Sequence, residues 1–334
     1  MIPDLDDIRS GDRRALARAI TLAESRRRDH RLAAEKLLEG LLPQTGGAVR
    51  LGISGVPGVG KSTFIEAFGL RLIEMGKKVA VLAVDPTSPV SGGSILGDKT
   101  RMEALSRSPA AFIRPSPTGG TLGGVAGRTR EALLLCEAAG FDVVIVETVG
   151  VGQSETAVKD LVDLFLLLLL PGGGDELQGL KKGIVEIADI LCINKADGEL
   201  QAEARRAAAE YRGALGLLRP AHKDWMPPVL LVSSREDRGI EEVWAEIERF
   251  FSVMAPSGEV ARRRSEQAKA WFWRELGESL LETFKVHPAV AGRLGELEAA
   301  VAAGRLAPSA AARRLLESFG AAPAQGKGDG EVSA

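Results

Sequence analysis

Residues 55–62 read Gly-Val-Pro-Gly-Val-Gly-Lys-Ser, and no other stretch constrains the fold of this chain as tightly. The octet fits G-x-x-x-x-G-K-[S/T] without a mismatch. Before it, Val49-Arg50-Leu51-Gly52-Ile53-Ser54 reads as a short buried strand. After it, Thr63 to Met75 places Phe64, Ile65, Phe68 and Leu72 at helical spacing. Strand, glycine loop, helix is the context in which this pattern cradles phosphate. Gly55, Gly58 and Gly60 let the backbone curl with its N–H groups turned inward, and Val56, Pro57 and Val59 complete the loop. The helix that begins at Ser62 and Thr63 adds its positive end. Lys61 can reach the β- and γ-phosphates, and the Ser62 hydroxyl can ligate Mg2+.

A glycine loop does not choose a base. Ile190-Leu191-Cys192-Ile193 reads as a strand, and Asn194-Lys195-Ala196-Asp197 follows it. In this N-K-x-D pattern the aspartate can accept two hydrogen bonds from guanine, at N1–H and at the 2-amino group. Adenine offers neither donor there, and a site with its buried polar partner left unpaired rejects the analogue by roughly 10⁴-fold or more. Asn194 is expected to tie this loop to the phosphate loop, and the Lys195 stem to cover one face of the base. Val229 to Val232 supplies a last strand, and the backbone of Ser233-Ser234 after it can touch guanine O6.

Phe141 to Gly150 is a β-branched strand that ends in Glu147-Thr148-Val149-Gly150. A carboxylate at a strand end can hold magnesium through water, and the Gly150 N–H can sense a γ-phosphate. The strand Lys78 to Val84 ends in Asp85-Pro86. Asp85 is a second candidate for magnesium or for the attacking water, with a turn-capping role before proline as the plain alternative.

With these residues in view, the chain resembles the MeaB/ArgK group of P-loop GTPases, bacterial relatives of the human MMAA protein. The resemblance runs from about Asp12 to Phe319. It rests on GVPGVGKST, VDPTSPVSGGSILGDKTRM, RPSPTGGTLGGVAGRTREALLLCEAAGFDVVIVETVGVGQSE, PGGGDELQGLKKGIVEIADI and NKAD. It implies a GTP-hydrolysing chaperone, with Mg2+ and GTP/GDP as ligands. That chaperone gates adenosylcobalamin loading and protects or reactivates methylmalonyl-CoA mutase. Carried over by position, Lys61 and Ser62 bind phosphate and metal, and Asp85, Asp98 and Glu147 form the acidic magnesium shell. Asn194, Lys195 and Asp197 read guanine. The loop from Pro171 to Gly183 senses the partner, with Asp175, Gln178, Lys181 and Lys182 as its polar contacts.

The implied architecture is α/β, a P-loop NTPase with a mostly parallel sheet flanked by helices. An amphipathic helical arm precedes it in residues 1–47, with Leu16, Ile20 and Ala23 on one face and Pro43 to Gly47 as a hinge. The nucleotide domain is expected over 48–254, and Ala255-Pro256-Ser257-Gly258 reads as a linker. Residues 255–320 are expected to be helical, with Trp271, Phe272, Leu276, Leu280, Leu281 and Phe284 on one stripe. The family resemblance makes this region the homodimer contact. Residues 321–334 lack periodicity and read as a disordered tail.

Composition agrees with an intracellular enzyme. Of 334 residues 45% are hydrophobic, and the net charge of −2 gives no reason to expect nucleic acid or an anionic membrane. Cys136 and Cys192 sit in apolar surroundings and read as reduced thiols, which suits the cytoplasm. The longest apolar run, Val162 to Leu170, is interrupted by Asp163 and falls short of the ~20 residues a membrane span needs. The N-terminus is acidic and polar, unlike a signal peptide. Two other readings compete. A metal-insertion GTPase usually carries a His- or Cys-rich tract, whereas His30, His222 and His287 lie far apart. A kinase linked to arginine/ornithine transport needs a second substrate site, for which only Asp85 offers a base.

Overall fold

The strands are apolar and buried along nearly their whole length, a pattern that only a sheet covered on both faces accommodates. The computed structural model describes residues 2–25, 27–84, 102–115, 122–148, 154–172, 182–217 and 222–321. Its sheet is seven-stranded and parallel throughout: β1 (Val49–Gly55), β2 (Val79–Val84), β3 (Ala111–Arg114), β4 (Val143–Thr148), β5 (Leu164–Leu169), β6 (Ile190–Ile193) and β7 (Val229–Leu231). The spatial order is β3-β2-β4-β1-β5-β6-β7. The chain leaves β1 toward one edge, returns as β4, and crosses to β5 on the other side. The carboxyl end of β1 is therefore the point where the winding reverses, the position at which open α/β sheets bind ligands.

Two helical layers cover the sheet. On one face lie α1 (Leu5–Arg9), α2 (Arg13–Ala23), α3 (Arg28–Leu41), α6 (Leu122–Ala138), α7 (Ser154–Lys159) and α9 (Gln201–Leu217). On the other lie α4 (Lys61–Glu74), α5 (Glu103–Arg107) and α10 (Ile240–Met254), where Phe64 stacks on Phe68 and Phe68 meets Trp244. A short α8 (Lys182–Glu186) leads into β6. The apolar face expected on the N-terminal arm exists, but it is not an appendage. Ile8, Leu16 and Ile20 are fully buried in the same core as Val144, Val146 and Phe165 of the sheet. Asp4 and Asp12 cap α1 and α2 through their carboxylates. Cys136 and Cys192 are buried, and burial pushes both thiols far above their ordinary range, which leaves them un-ionised.

The amino ends of the strands are held by buried charge. Arg50 on β1 forks onto Glu137 of α6 at 2.8 and 2.9 Å. Asp163 accepts the Arg50 N–H at 3.0 Å and the Arg264 guanidinium at 2.7 and 2.6 Å. Gly46, inside the expected hinge, donates to Glu137 at 2.9 Å, and its carbonyl accepts from Arg264 at 2.5 Å. This segment is pinned on both backbone groups. Asp163, which as a sequence feature only interrupts an apolar run, is a buried junction.

α11 (Glu259–Val286) begins directly after the expected linker, and its first residues belong with the sheet. The chain divides into two compact units at Gln267, within this helix. In the second unit, α12 (Pro288–Ala302) and α13 (Pro308–Ala321) pack through Val290, Leu297, Ala311 and Leu315. Phe319 contacts Phe284 and His287. Of the expected stripe on α11, Phe272, Leu276, Leu280 and Leu281 are exposed, Trp271 is half-buried and Phe284 packs against the core of the second unit; Trp273, outside that stripe, is 68% exposed.

Asp189 sits at the foot of β6 and fixes its pairing with β5. Its Oδ2 accepts from the Phe165 N–H at 2.8 Å and from Lys159 Nζ at 2.5 Å, and His222 Nε2 lies 3.5 Å from Oδ1. Burial opposes the charged carboxylate, but His222, Lys159 and Arg263 outweigh it and hold the group at about 2. An unfolded aspartate titrates near ~3.9. The pKa is depressed on folding, so the stabilisation is complete above that value and fades as pH falls toward about 2. Asp189→Asn leaves Lys159 buried beside an amide, and we expect about 3 kcal/mol or more of lost stability at pH 7. Urea melts at pH 7 and pH 3 check this. The deficit of the variant should shrink at pH 3, and an equal deficit at both values would contradict the account.

Candidate nucleotide site

The loop expected to hold phosphate joins β1 to α4 at the winding reversal. Gly58 and Gly60 have φ of +80° and +93°, in the left-handed region that a side chain disfavours. Gly55 and Gly60 are required for a second reason. A Cβ on Gly55 would lie 2.6 Å from the Leu168 carbonyl oxygen, and one on Gly60 would lie 2.9 Å from Asn194 Nδ2. Val59 anchors the loop by burying its side chain with Phe64 and Ile53. Gly60 precedes α4, so the first turn of the helix, Lys61 to Thr63, starts at the loop and turns its positive end toward it. Lys61 Nζ donates to the carbonyls of Gly55 at 2.7 Å and Val56 at 3.3 Å, which sets the ammonium at the lip of the loop beside Val56 and Pro57.

The second expected loop reaches back to the first. Asn194 is 2% exposed. Its Nδ2 donates to the Val59 carbonyl at 2.8 Å, and its Oδ1 accepts from the Ser234 hydroxyl at 2.8 Å and the Ser234 N–H at 3.3 Å. One amide therefore joins the loops that follow β1, β6 and β7. Lys195 adopts a left-handed φ of +58°, which turns its side chain toward the glycine loop, and its Nζ donates to the Gly58 carbonyl at 2.7 Å. Asp197 accepts from the Ser233 hydroxyl, whose oxygen in turn accepts the Glu236 N–H at 3.1 Å. A carboxylate has about four lone pairs, so this bond orients Asp197 and leaves it able to accept more. The sequence reading gave Ser233 and Ser234 backbone roles. Their hydroxyls are used as well, to hold Asp197 and Asn194.

The third strand end brings a carboxylate to the loop. Glu147 is 4% exposed, and its Oε1 lies 3.5 Å from Ser62 Oγ. Adjacent oxygen ligands of an octahedral magnesium are about 3 Å apart, so this separation suits two donors to one ion or to its bound water. The donors are hard oxygens, as magnesium prefers. Among the described residues no group of three or more His, Cys, Asp or Glu could hold a metal. The other carboxylates expected in the shell, Asp85 and Asp98, lie outside the described residues, as do Gly150, Asp175, Gln178 and Lys181. Lys182 opens α8, with its side chain outside the described set. β2 ends at Val84, opposite Thr148 of β4. A 430 Å³ cleft borders the site, between Thr63, Leu70, Ala104 and Ser234.

This geometry can hold a polyphosphate at the loop, a divalent cation at Ser62 and Glu147, and a purine between the loops of Asn194 and Ser233. The comparisons with known proteins agree. The family model of the methylmalonyl Co-A mutase-associated GTPase MeaB matches residues 16–289. A putative GTPase of Caulobacter vibrioides is 60% identical over 326 residues, 96% of this chain and 100% of that protein. GTPase ArgK of Escherichia coli is 52% identical over 274 residues, 82% of this chain and 83% of that one. The mitochondrial methylmalonic aciduria type A homolog of Mus musculus is 50% identical over 322 residues, 92% and 77% of the two chains. A crystal structure described as an LAO/AO transport system kinase superposes with a TM-score of 0.73 at 40% identity, covering 95% of this chain and 96% of the other. No helix among the described residues is long and apolar enough to cross a membrane. The chain is a P-loop GTPase and belongs to the MeaB family of methylmalonyl-CoA mutase-associated GTPases.

Proposed function

We propose that this GTPase binds GTP with Mg2+ and uses its hydrolysis to gate adenosylcobalamin loading and to protect or reactivate methylmalonyl-CoA mutase, in the cytoplasm and as a homodimer. The observation that carries the nucleotide part is the Asn194 amide, which binds the base-side loop to the phosphate loop at 2.8 Å. The mutase part is supported by the family to which the chain belongs and by its likeness to the methylmalonic aciduria type A homolog.

In this reading the backbone N–H groups of residues 56–63 cradle the β- and γ-phosphates. Lys61 exchanges the Gly55 and Val56 carbonyls for phosphate oxygens. Ser62 and Glu147, with Asp85 and Asp98, hold the magnesium. Once bound, that ion neutralises charge on the phosphates as the leaving oxygen departs. The Gly150 N–H contacts the γ-phosphate. Lys195 covers one face of guanine, and Asp197, oriented by Ser233, accepts its two donors. Water attacks the γ-phosphorus, the bond to the bridging oxygen breaks, and GDP and phosphate leave. No glutamine or arginine directly follows Glu147 to orient that water, and the nearest candidate is Gln153. Basal turnover is therefore slow until a partner completes the site. The transport-kinase reading, which the name of one solved relative keeps open, requires an acceptor for the phosphoryl group. Phosphate release from GTP without any acceptor separates the two.

The base reading predicts that the protein selects GTP over ATP. Asp197→Asn should weaken GTP and strengthen xanthosine triphosphate, whose 2-oxo group suits an amide donor. Equal affinities for GTP and ATP in the unmodified protein would refute it.

The partner reading assigns sensing to the loop from Pro171 to Gly183, which follows β5 at the crevice end of the sheet. Asp175→Ala or Lys181→Ala should leave basal hydrolysis near normal and reduce the acceleration that the cobalamin mutase produces. Kinetics with and without the mutase decide it, and undiminished acceleration in both variants would make the loop a connector.

The homodimer is supported by the exposed stripe residues Phe272, Leu276, Leu280 and Leu281, with Trp273 exposed beside them, since exposed apolar patches of this kind mark contact surfaces. Leu280→Asp should convert the dimer to monomer in light scattering. A wild-type chain that is monomeric at high concentration would exclude this role.

A further inference from the structure

The ladder between β1 and β4 pairs Val49 with Val143 and ends at Ile53 with Glu147. Beyond that point each strand keeps its other neighbour: β1 continues along β5 to Gly55 and Leu168, and β4 continues along β2 to Thr148 and Val84. The two central strands therefore part company at the residue that carries the metal-facing carboxylate, one step before the phosphate loop. At that step, where a backbone pair would be next, two side chains meet instead. The Thr148 hydroxyl donates to Ser54 Oγ at 2.8 Å, and both residues have no exposed surface.

Side chains alternate along a strand, so Thr148 projects from the opposite face of the sheet to Glu147. Val146, two residues back on the Thr148 side, lies in the core beneath α6 and α7, whereas Ile145, on the Glu147 side, lies in the core beneath α4. The hydroxyl pair therefore cannot touch a nucleotide bound over α4. It can act only through the strand ends, by setting how far β1 and β4 splay. That splay fixes the gap between Glu147, on β4, and Ser62, which follows β1, and this gap is 3.5 Å. Apolar residues in these two positions would fill the core equally well, so burial alone does not call for hydroxyls.

We propose that Ser54 and Thr148 are a positioning pair for hydrolysis, a buried cross-tie that sets the distance between the phosphate loop and Glu147. The proposal rests on Glu147 and Ser62 sharing the magnesium. It concerns alignment of the reacting groups, so loss of the tie lowers kcat and raises the magnesium concentration needed for half-maximal rate, with little change in nucleotide affinity.

The test uses four variants of the full chain, Thr148→Val, Ser54→Ala, the double variant, and Thr148→Ser, beside Glu147→Gln. Each is measured for urea stability, GTP affinity, kcat and magnesium dependence. Thr148→Val and Ser54→Ala should lower kcat by about tenfold or more, the range that misplacement of reacting groups produces. Thr148→Ser, which keeps the hydroxyl, should restore kcat. The single variants leave one buried polar group unpaired, and the double variant removes both partners, so stability should recover in the double variant. A kcat that stays low after stability has recovered supports positioning. A double variant with wild-type kcat and magnesium dependence would show a purely structural pair and overturn the proposal. If Glu147→Gln alters the magnesium dependence while the pair variants do not, the proposal fails and the metal reading stands. If Glu147→Gln leaves the magnesium dependence unchanged, the metal reading fails and takes the proposal with it.

Discussion

One side-chain amide holds the nucleotide site together. Asn194 follows β6, reaches the carbonyl of Val59 in the loop after β1, and receives Ser234 from the loop after β7. β6 is separated from β1 by β5, so no backbone ladder could make this connection. The amide is almost fully buried and its donor and acceptor are both used, which is what makes a buried polar group stabilising and directional. Its demand for space is also the reason for Gly60, where even a methyl group would collide with Nδ2. Lys195 adds a second strut to the same loop through Gly58.

The opposite end of the sheet is organised by charge rather than by neutral hydrogen bonds. Arg50 with Glu137, Asp163 with Arg264, and Asp189 with Lys159 are largely dehydrated pairs. Buried pairs of this kind add little net stability over apolar packing, but removing one member is costly, so they select a particular arrangement. Here they fix where β1, β5 and β6 begin. Strands whose lower ends are fixed deliver their upper ends, with Gly55, Glu147 and Asn194, to reproducible places. The Asp163 junction also holds the first turns of α11, through Arg264.

Function in this chain is concentrated where regular structure stops. Every described residue assigned to phosphate, metal or base lies in the last two positions of a strand, in the loop after it, or in the first turn of a helix. Strands tolerate almost only apolar residues, because both faces are covered. Among the polar exceptions, Arg50 lies at the amino end of β1 and Arg114 ends β3, whereas Ser54, Glu147 and Thr148 cluster at the crevice end of the two central strands.

Much of this was legible before any coordinates. The glycine octet, the N-K-x-D tetrad and the apolar runs of the strands are local patterns. A phosphate loop is made by consecutive residues, and a doubly covered strand must be continuously apolar. The fold class, the P-loop and the loop from Asn194 to Asp197 that meets it followed from these alone. The sequence could not say what the polar residues outside the patterns do. Arg50, Glu137, Asp163, Asp189 and Arg264 resemble ordinary surface charge in a linear reading, and the partners of their side chains lie between 24 and 218 residues away. Nor could it tell that the N-terminal helices are core elements of the sheet domain, since an amphipathic face states that it must be buried but not against what. Ser54 and Thr148 gave no signal at all, because a hydroxyl pair exists only once the strand order has brought β1 beside β4. Local chemistry is carried by neighbours along the chain, and the choice of partner for a buried charge, an apolar face or a hydroxyl is made only when the sheet closes.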